Sequence, residues 1–233
     1  MIKVYDNLLP DAFADKIYDL HTIGNFSWYY SPSTVLARAV PTDNLGIVYK
    51  RVPNNITVGY REEETGLCMN SIFTKDTVDT PYFSHSSCDG GKPSSIHFDQ
   101  LSEIVKHLDF EKVNYQVYRV KSNLQFNVTG CKKTNHLPIH MDKITEGDKT
   151  LLYYVNDSDG DTILFDKDEK EYARITPKQG RMLYFNGKTL HAGNHPCKSE
   201  CRIAINYDLA DKSISLFNNA GQGNDDIGEF HGL

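Results

Sequence analysis

The chain has 233 residues, 39% hydrophobic and 11% aromatic, enough to bury one sizeable core in a single domain. A formal net charge of −6 gives no general attraction to phosphate backbones or anionic lipid, so a nucleic-acid partner is disfavoured. No segment approaches the roughly 20 apolar residues that span a bilayer. The N-terminus MIKVYDNLLPDAF lacks the apolar run of a signal peptide, and a cytoplasmic location is the expectation. Cys68, Cys88, Cys131, Cys197 and Cys201 include no CxxC unit, so reduced thiols are expected, not a disulfide framework or a zinc finger.

Helical patterning is confined to the first half. Pro10 suits a first helical turn, and Phe13, Ile17 and Leu20 then fall on one face of a short helix. A second helix is predicted in DQLSEIVKHLDF, where Leu101, Ile104, Val105 and Leu108 follow the i, i+3, i+4, i+7 rule. Between them, roughly Pro41 to Ser95 is rich in Asp, Asn, Thr, Gly and Pro and predicts loops with a few short strands. From Val113 onward six runs read as strands: VNYQVYRV, TLLYYVN, DTILFD, EYARIT, RMLYFNG and CRIAINYDL. Turn clusters such as DSDGD and TPKQG separate them, with no helix between, which argues for an antiparallel sandwich or barrel. The expected organisation is one domain. It has an N-terminal helical and loop layer (1–112), an all-β core (113–209) and a C-terminal tail (210–233).

The chemistry concentrates in that core. HLPIHMDK places His140 and Asp142 two positions apart, and in a strand such residues share a face. A lone HxD is common by chance. His191, in GKTLHAGNHP, is a third ligand that folding can bring alongside. Two neutral imidazoles and one carboxylate on one face of an octahedron leave open positions, as in non-haem Fe(II) oxygenases, and no thiolate draws the site toward other metals. Arg202 lies in an otherwise apolar strand that would bury it, and a buried guanidinium calls for an anion. Lys198, in the polar loop before that strand, is the weaker anchor.

His140-Met141-Asp142, His191 and Arg202, in this order on a late all-β region, resemble the HxD…H…R/K signature of the Fe(II)/2-oxoglutarate-dependent dioxygenases. Within them the likeness is to the prolyl-4-hydroxylase-like branch, including members found in phage genomes. TLLYYVNDSDGDTILFD resembles that branch's strand, acidic turn and Gly-x-Thr-x-x-Phe strand, and ITPKQGRMLYFNG its approach to the distal histidine. The likeness spans roughly Val113 to Leu209. The interval from His191 to Arg202 is longer than in several relatives, which a turn can absorb.

This resemblance implies a mainly β fold, a double-stranded β-helix (jelly roll, cupin-like) with the N-terminal helices packed on it. It implies His140, Asp142 and His191 as metal and catalytic residues. Arg202 is implied as the anchor of the far 2-oxoglutarate carboxylate, with Tyr154 adding a hydroxyl and Leu152 walling the pocket while Tyr153 points away. Fe(II), 2-oxoglutarate and O2 are the implied cofactor and cosubstrates, with ascorbate as a reductant. The reaction would hydroxylate an unactivated C–H bond of a prolyl or other peptidyl residue, or of a small molecule, releasing succinate and CO2. A non-catalytic cupin-like metal-binding protein and a nucleic-acid demethylase of the same superfamily are the alternatives. The remaining histidines (His21, His85, His97, His107, His136, His195, His231) read as solvated or packed. His97 and His136, with the clusters FSWYY and SHSSCDGGKPSS, lie where they can border a substrate groove.

Overall fold

The structure is a computed structural model that describes residues 2–31, 48–52, 55–59, 71–72, 74–108, 115–142 and 147–212. Cys68, His231 and the C-terminal tail beyond 212 lie outside the described residues. The elements, in chain order, are β1 (Ile2–Tyr5), α1 (Asp11–Thr22), β2 (Tyr29–Ser31), β3 (Val48–Val52), β4 (Asn55–Gly59) and β5 (Ser71–Ile72). β6 (Tyr82–Asp89), β7 (Lys92–Pro93), α2 (Phe98–Lys106) and β8 (Tyr115–Phe126) follow. The second half supplies β9 (Lys149–Tyr154), β10 (Thr162–Phe165), β11 (Glu171–Ile175), β12 (Met182–Asn186), β13 (Leu190–Gly193) and β14 (Cys201–Asp211).

All named strand pairs are antiparallel. A major sheet runs in the order β1-β12-β9-β14-β8-β6-β2, with β7 attached to β6, and a minor sheet runs β11-β10-β13. The expected jelly-roll class is thus met. The N-terminal segment is more than a layer of helices and loops, because β1 zips onto β12 and β6 pairs along β8. Those edge positions need partners from elsewhere in the chain, which local patterning does not reveal.

Alternation on the major-sheet strands separates two interiors. Leu151 and Tyr153 of β9, Met182 and Tyr184 of β12, and Ile203, Ile205 and Tyr207 of β14 face a core closed by Ile17 of α1 and by Leu101 and Ile104 of α2. The intervening residues Leu152, Tyr154, Leu183, Phe185 and Ala204 turn to the other side and pack with Leu164 of β10 and Ile175 of β11. Tyr207 also ties helix to sheet, donating its hydroxyl to the Leu101 carbonyl at 2.9 Å. Pro10 caps α1 instead of occupying its first turn, and its carbonyl accepts from the Phe13 and Ala14 amides. A proline loses nothing there, since its own missing N–H lies outside the helical ladder.

Leu101 is fully buried where α2 meets the sheet. Leu101→Ala removes that contact and leaves a cavity, so we expect a loss of about 2–5 kcal/mol. It would appear as a lower urea midpoint at unchanged m-value.

Candidate active site

The HxD segment is not a regular strand. Ile139 and His140 make only isolated bridges, to Ile72 and His191, and Asp142 lies beyond them. The strand argument for their common face therefore fails, and convergence comes from tertiary contacts. The His140 and His191 backbones exchange hydrogen bonds at 3.0 and 2.9 Å, which places one imidazole over the other with ring centroids 4.6 Å apart. Asp142 is instead held by the major sheet. Asn206 of β14 and Thr150 of β9 donate to its Oδ2 at 3.0 and 3.2 Å, and Arg119 of β8 reaches its Oδ1 at 3.3 Å. The triad thus straddles the two sheets.

His140, Asp142 and His191 each offer one ligand atom, all within 4.8 Å of one another. The Nδ1 of His140 lies 2.9 Å from the Pro138 carbonyl and that of His191 3.0 Å from the Thr189 carbonyl. Both Nδ1 atoms therefore donate to carbonyls, and both Nε2 atoms are turned toward Asp142, the arrangement that orients metal-ligating imidazoles. Burial pushes His140 down to about 4, so it stays neutral. Burial also opposes a charge on His191, but the Asp142 carboxylate 3.3 Å away outweighs it and raises the proton affinity of the ring. Burial works against an ionised Asp142 as well, yet His191, Arg119 and His140 together hold it well below the carboxylate range. The buried Oδ1 of Asn206, beside Asp142, has no partner among the described residues. The donor chemistry of the three side chains fits a metal ion.

Two guanidiniums, Arg119 half-buried and Arg202 buried, flank the triad in opposite electrostatic states. Arg119 lies between Asp142 and Asp208, its Nε 2.8 Å from the latter, and although burial opposes its charge these carboxylates raise its pKa. Arg202 is 5% exposed, and among the described residues it donates to neutral acceptors: the Gly160 carbonyl at 2.8 Å, Gln125 Oε1 at 3.0 Å and the Thr162 hydroxyl at 2.9 Å. Burial depresses it. That burial outweighs the opposing influence of Tyr154 and of the buried Asp161 carboxylate, and a cation so poorly compensated is costly to enclose. Lys198, by contrast, is exposed.

Tyr154 donates to the Thr162 hydroxyl at 2.8 Å, and its ring centroid is 5.7 Å from the Arg202 guanidinium. Thr162 thus accepts from two donors and keeps its own proton to give. Leu152 lines the same side and Tyr153 the opposite one, as alternation requires. Gly160 permits the close approach, since a Cβ there would lie 3.0 Å from Arg202 Cδ and 2.8 Å from the Asn194 carbonyl.

Sequence reasoning missed Arg119, Thr150, Asn206 and Asp208 around Asp142, and Gln125 and Thr162 around Arg202. Asn206 and Asp208 were accessible by counting alternate positions from Arg202. The others depend on register between strands. Of the border candidates, His136 is a packed residue bonded to the Thr74 hydroxyl and the Leu137 carbonyl. His97 lies 5.1 Å from the Phe26 ring and 5.8 Å from that of His85, and Phe26 belongs to the helix-covered core, away from the triad. Phe26 and Trp28 of FSWYY are likewise packing residues.

A metal ion must displace the proton that Asp142 stabilises on His191. We expect Co(II) affinity to climb with pH through and above the ordinary histidine value of 6.5. Calorimetric titrations in mildly acidic and mildly alkaline buffer measure this, and a flat profile would remove His191 from the ligand set.

Residues 124–207 match the family model described as the 2OG-Fe(II) oxygenase superfamily. No curated protein sequence matches the chain. Among solved structures, a Trichoplax adhaerens prolyl hydroxylase in complex with a hypoxia inducible factor peptide is 14% identical, with 93% of this chain and 86% of that one covered and a TM-score of 0.49. A Pseudomonas putida prolyl-4-hydroxylase is 10% identical over 91% and 92% of the two chains, TM-score 0.48. A collagen prolyl hydroxylase of Paramecium Bursaria Chlorella virus-1 is 17% identical over 90% and 96%, TM-score 0.43. The family match covers the segment that holds His140, Asp142, His191 and Arg202.

Proposed function

We propose that this protein is an Fe(II)- and 2-oxoglutarate-dependent hydroxylase in which His140, Asp142 and His191 hold the iron and Arg202 anchors the far carboxylate of 2-oxoglutarate. When bound, iron and cosubstrate supply the oxidising power to replace an unactivated C–H with C–OH, with succinate and CO2 as co-products. The chain's own residues supply position and electrostatics. Thr150, Asn206 and Arg119 fix the carboxylate of Asp142, and the Pro138 and Thr189 carbonyls fix the two imidazoles.

Arg202 supports this reading most. It shares its face of β14 with Ala204 and Asn206, so anion receptor and metal triad open to one side of one strand. Between them on that face lies the small Ala204, with Leu152 and Tyr154 of the paired strand β9 beside it. A metal-storing cupin has no use for such a receptor. The prolyl or other peptidyl side chain that the sequence resemblance implies is the substrate class carried forward here.

Succinate formation with Fe(II), 2-oxoglutarate and O2 tests the assignment. Wild-type protein should turn over 2-oxoglutarate, and His140→Ala or Asp142→Ala should fall to the metal-free background. Equal rates in all three would sink the proposal. Arg202→Ala separates the roles further. Loss of charge-assisted hydrogen bonds predicts a rise of about 10- to 100-fold in the 2-oxoglutarate KM, with a much smaller change in metal affinity. Equal losses of both would make Arg202 merely structural.

A further inference from the structure

On the inner face of β8, Arg119 touches Asp142 and Gln125 touches Arg202. Strand alternation therefore turns Lys121 and Asn123, which lie between them, to that same side. Lys121 pairs in register with Asn206 of β14, the residue that donates to Asp142, and with Ser86 of β6. Its Nζ donates to the Tyr82 hydroxyl at 2.8 Å and lies 5.1 Å from the Tyr82 ring centroid. Asn123 is paired in turn with Ser84. A polar strip thus leads from the triad across β8 to β6.

Charge balance singles out Lys121 on this strip. Arg119 has two carboxylates, whereas the Lys121 ammonium has, among the described residues, the Tyr82 phenol and no carboxylate within ion-pair distance. The ammonium is half-buried, so water compensates it only in part. The cosubstrate does not need it, because its two ends are served by the metal and by Arg202. An anion receptor beside the triad is thereby left for the primary substrate.

We propose that Lys121 and Tyr82 form an anion-binding subsite for the primary substrate, which carries a carboxylate close to the C–H bond that is hydroxylated. The carboxylate is either the free α-carboxylate of an amino acid or an Asp or Glu side chain in a peptide. This inference rests on the hydroxylase assignment. The ammonium offers a carboxylate a charge-assisted hydrogen bond, and the Tyr82 hydroxyl, itself bonded to the Ser31 and Ser84 side chains, holds the ammonium in place.

The test uses full-length protein loaded with Mn(II) and 2-oxoglutarate under anaerobic conditions, with binding followed by calorimetry. Four probe pools are titrated: free L-amino acids, the same amino acids as C-terminal amides, end-blocked peptides with a central Asp or Glu, and those peptides with Asn or Gln instead. We expect binding from one carboxylate pool and not from its neutral counterpart, and which pool binds identifies the source of the carboxylate. Lys121→Met should weaken that binding about 10- to 100-fold, and Lys121→Arg should restore most of it. Equal binding of neutral and anionic pools, no binding of any pool, or no loss in Lys121→Met would overturn the subsite. Failure of the hydroxylase assignment is read separately, as iron-dependent succinate formation by wild-type protein no faster than by His140→Ala.

Discussion

Strand β14 joins the two halves of the molecule because its side chains alternate between a hydrocarbon core and a polar site. Ile203, Ile205 and Tyr207 lock it against the helices, while Arg202, Ala204, Asn206 and Asp208 face the opposite way. A slip of one residue would expose the first set and drive a guanidinium and a carboxylate into hydrocarbon. The register that stabilises the fold is therefore the register that assembles the site.

That constraint explains how charge is distributed inside the molecule. Asp208 neutralises Arg119, and Arg119 in turn reaches Asp142, so the carboxylate of the triad is held by a cation that already has a counter-ion. Arg202, six positions before Asp208 on the same strand, has no ion pair among the described residues, and the nearby Asp161 does not offset its burial. Its neutral ring of Gly160, Gln125 and Thr162 satisfies its hydrogen bonds without cancelling its charge. One arginine is tied into an ion-pair network and the other is not, although they lie on paired strands. Burial alone does not separate these roles; the partners do.

The division of the triad between sheets has a comparable logic. The minor sheet positions His191, and through one backbone bridge His140, while the major sheet grips Asp142 by three donors. Neither sheet holds a complete site. The metal position therefore depends on the two sheets packing at the right separation, which Leu152, Leu164, Leu183 and Phe185 set as a shared hydrocarbon filling.

Much of this was legible from residue order. β-Branched and aromatic runs between turn clusters placed β9, β10, β11, β12 and β14 within a residue or two, and strand alternation set Leu152 and Tyr154 opposite Tyr153. The apolar setting of Arg202 revealed a buried charge, and the residue types at 140, 142, 191 and 202 specified the chemistry. What only the tertiary structure decided was pairing. Pro138 lacks an N–H and His140 makes only one isolated bridge, so the HxD segment gains its geometry from His191 and from donors 8 to 64 positions away. Arg119, Gln125 and Lys121 acquire their roles from partners on other strands. Local sequence encodes the face a side chain takes on its own strand, because that follows from backbone geometry, whereas its cross-strand partner is fixed by the packing of the whole chain.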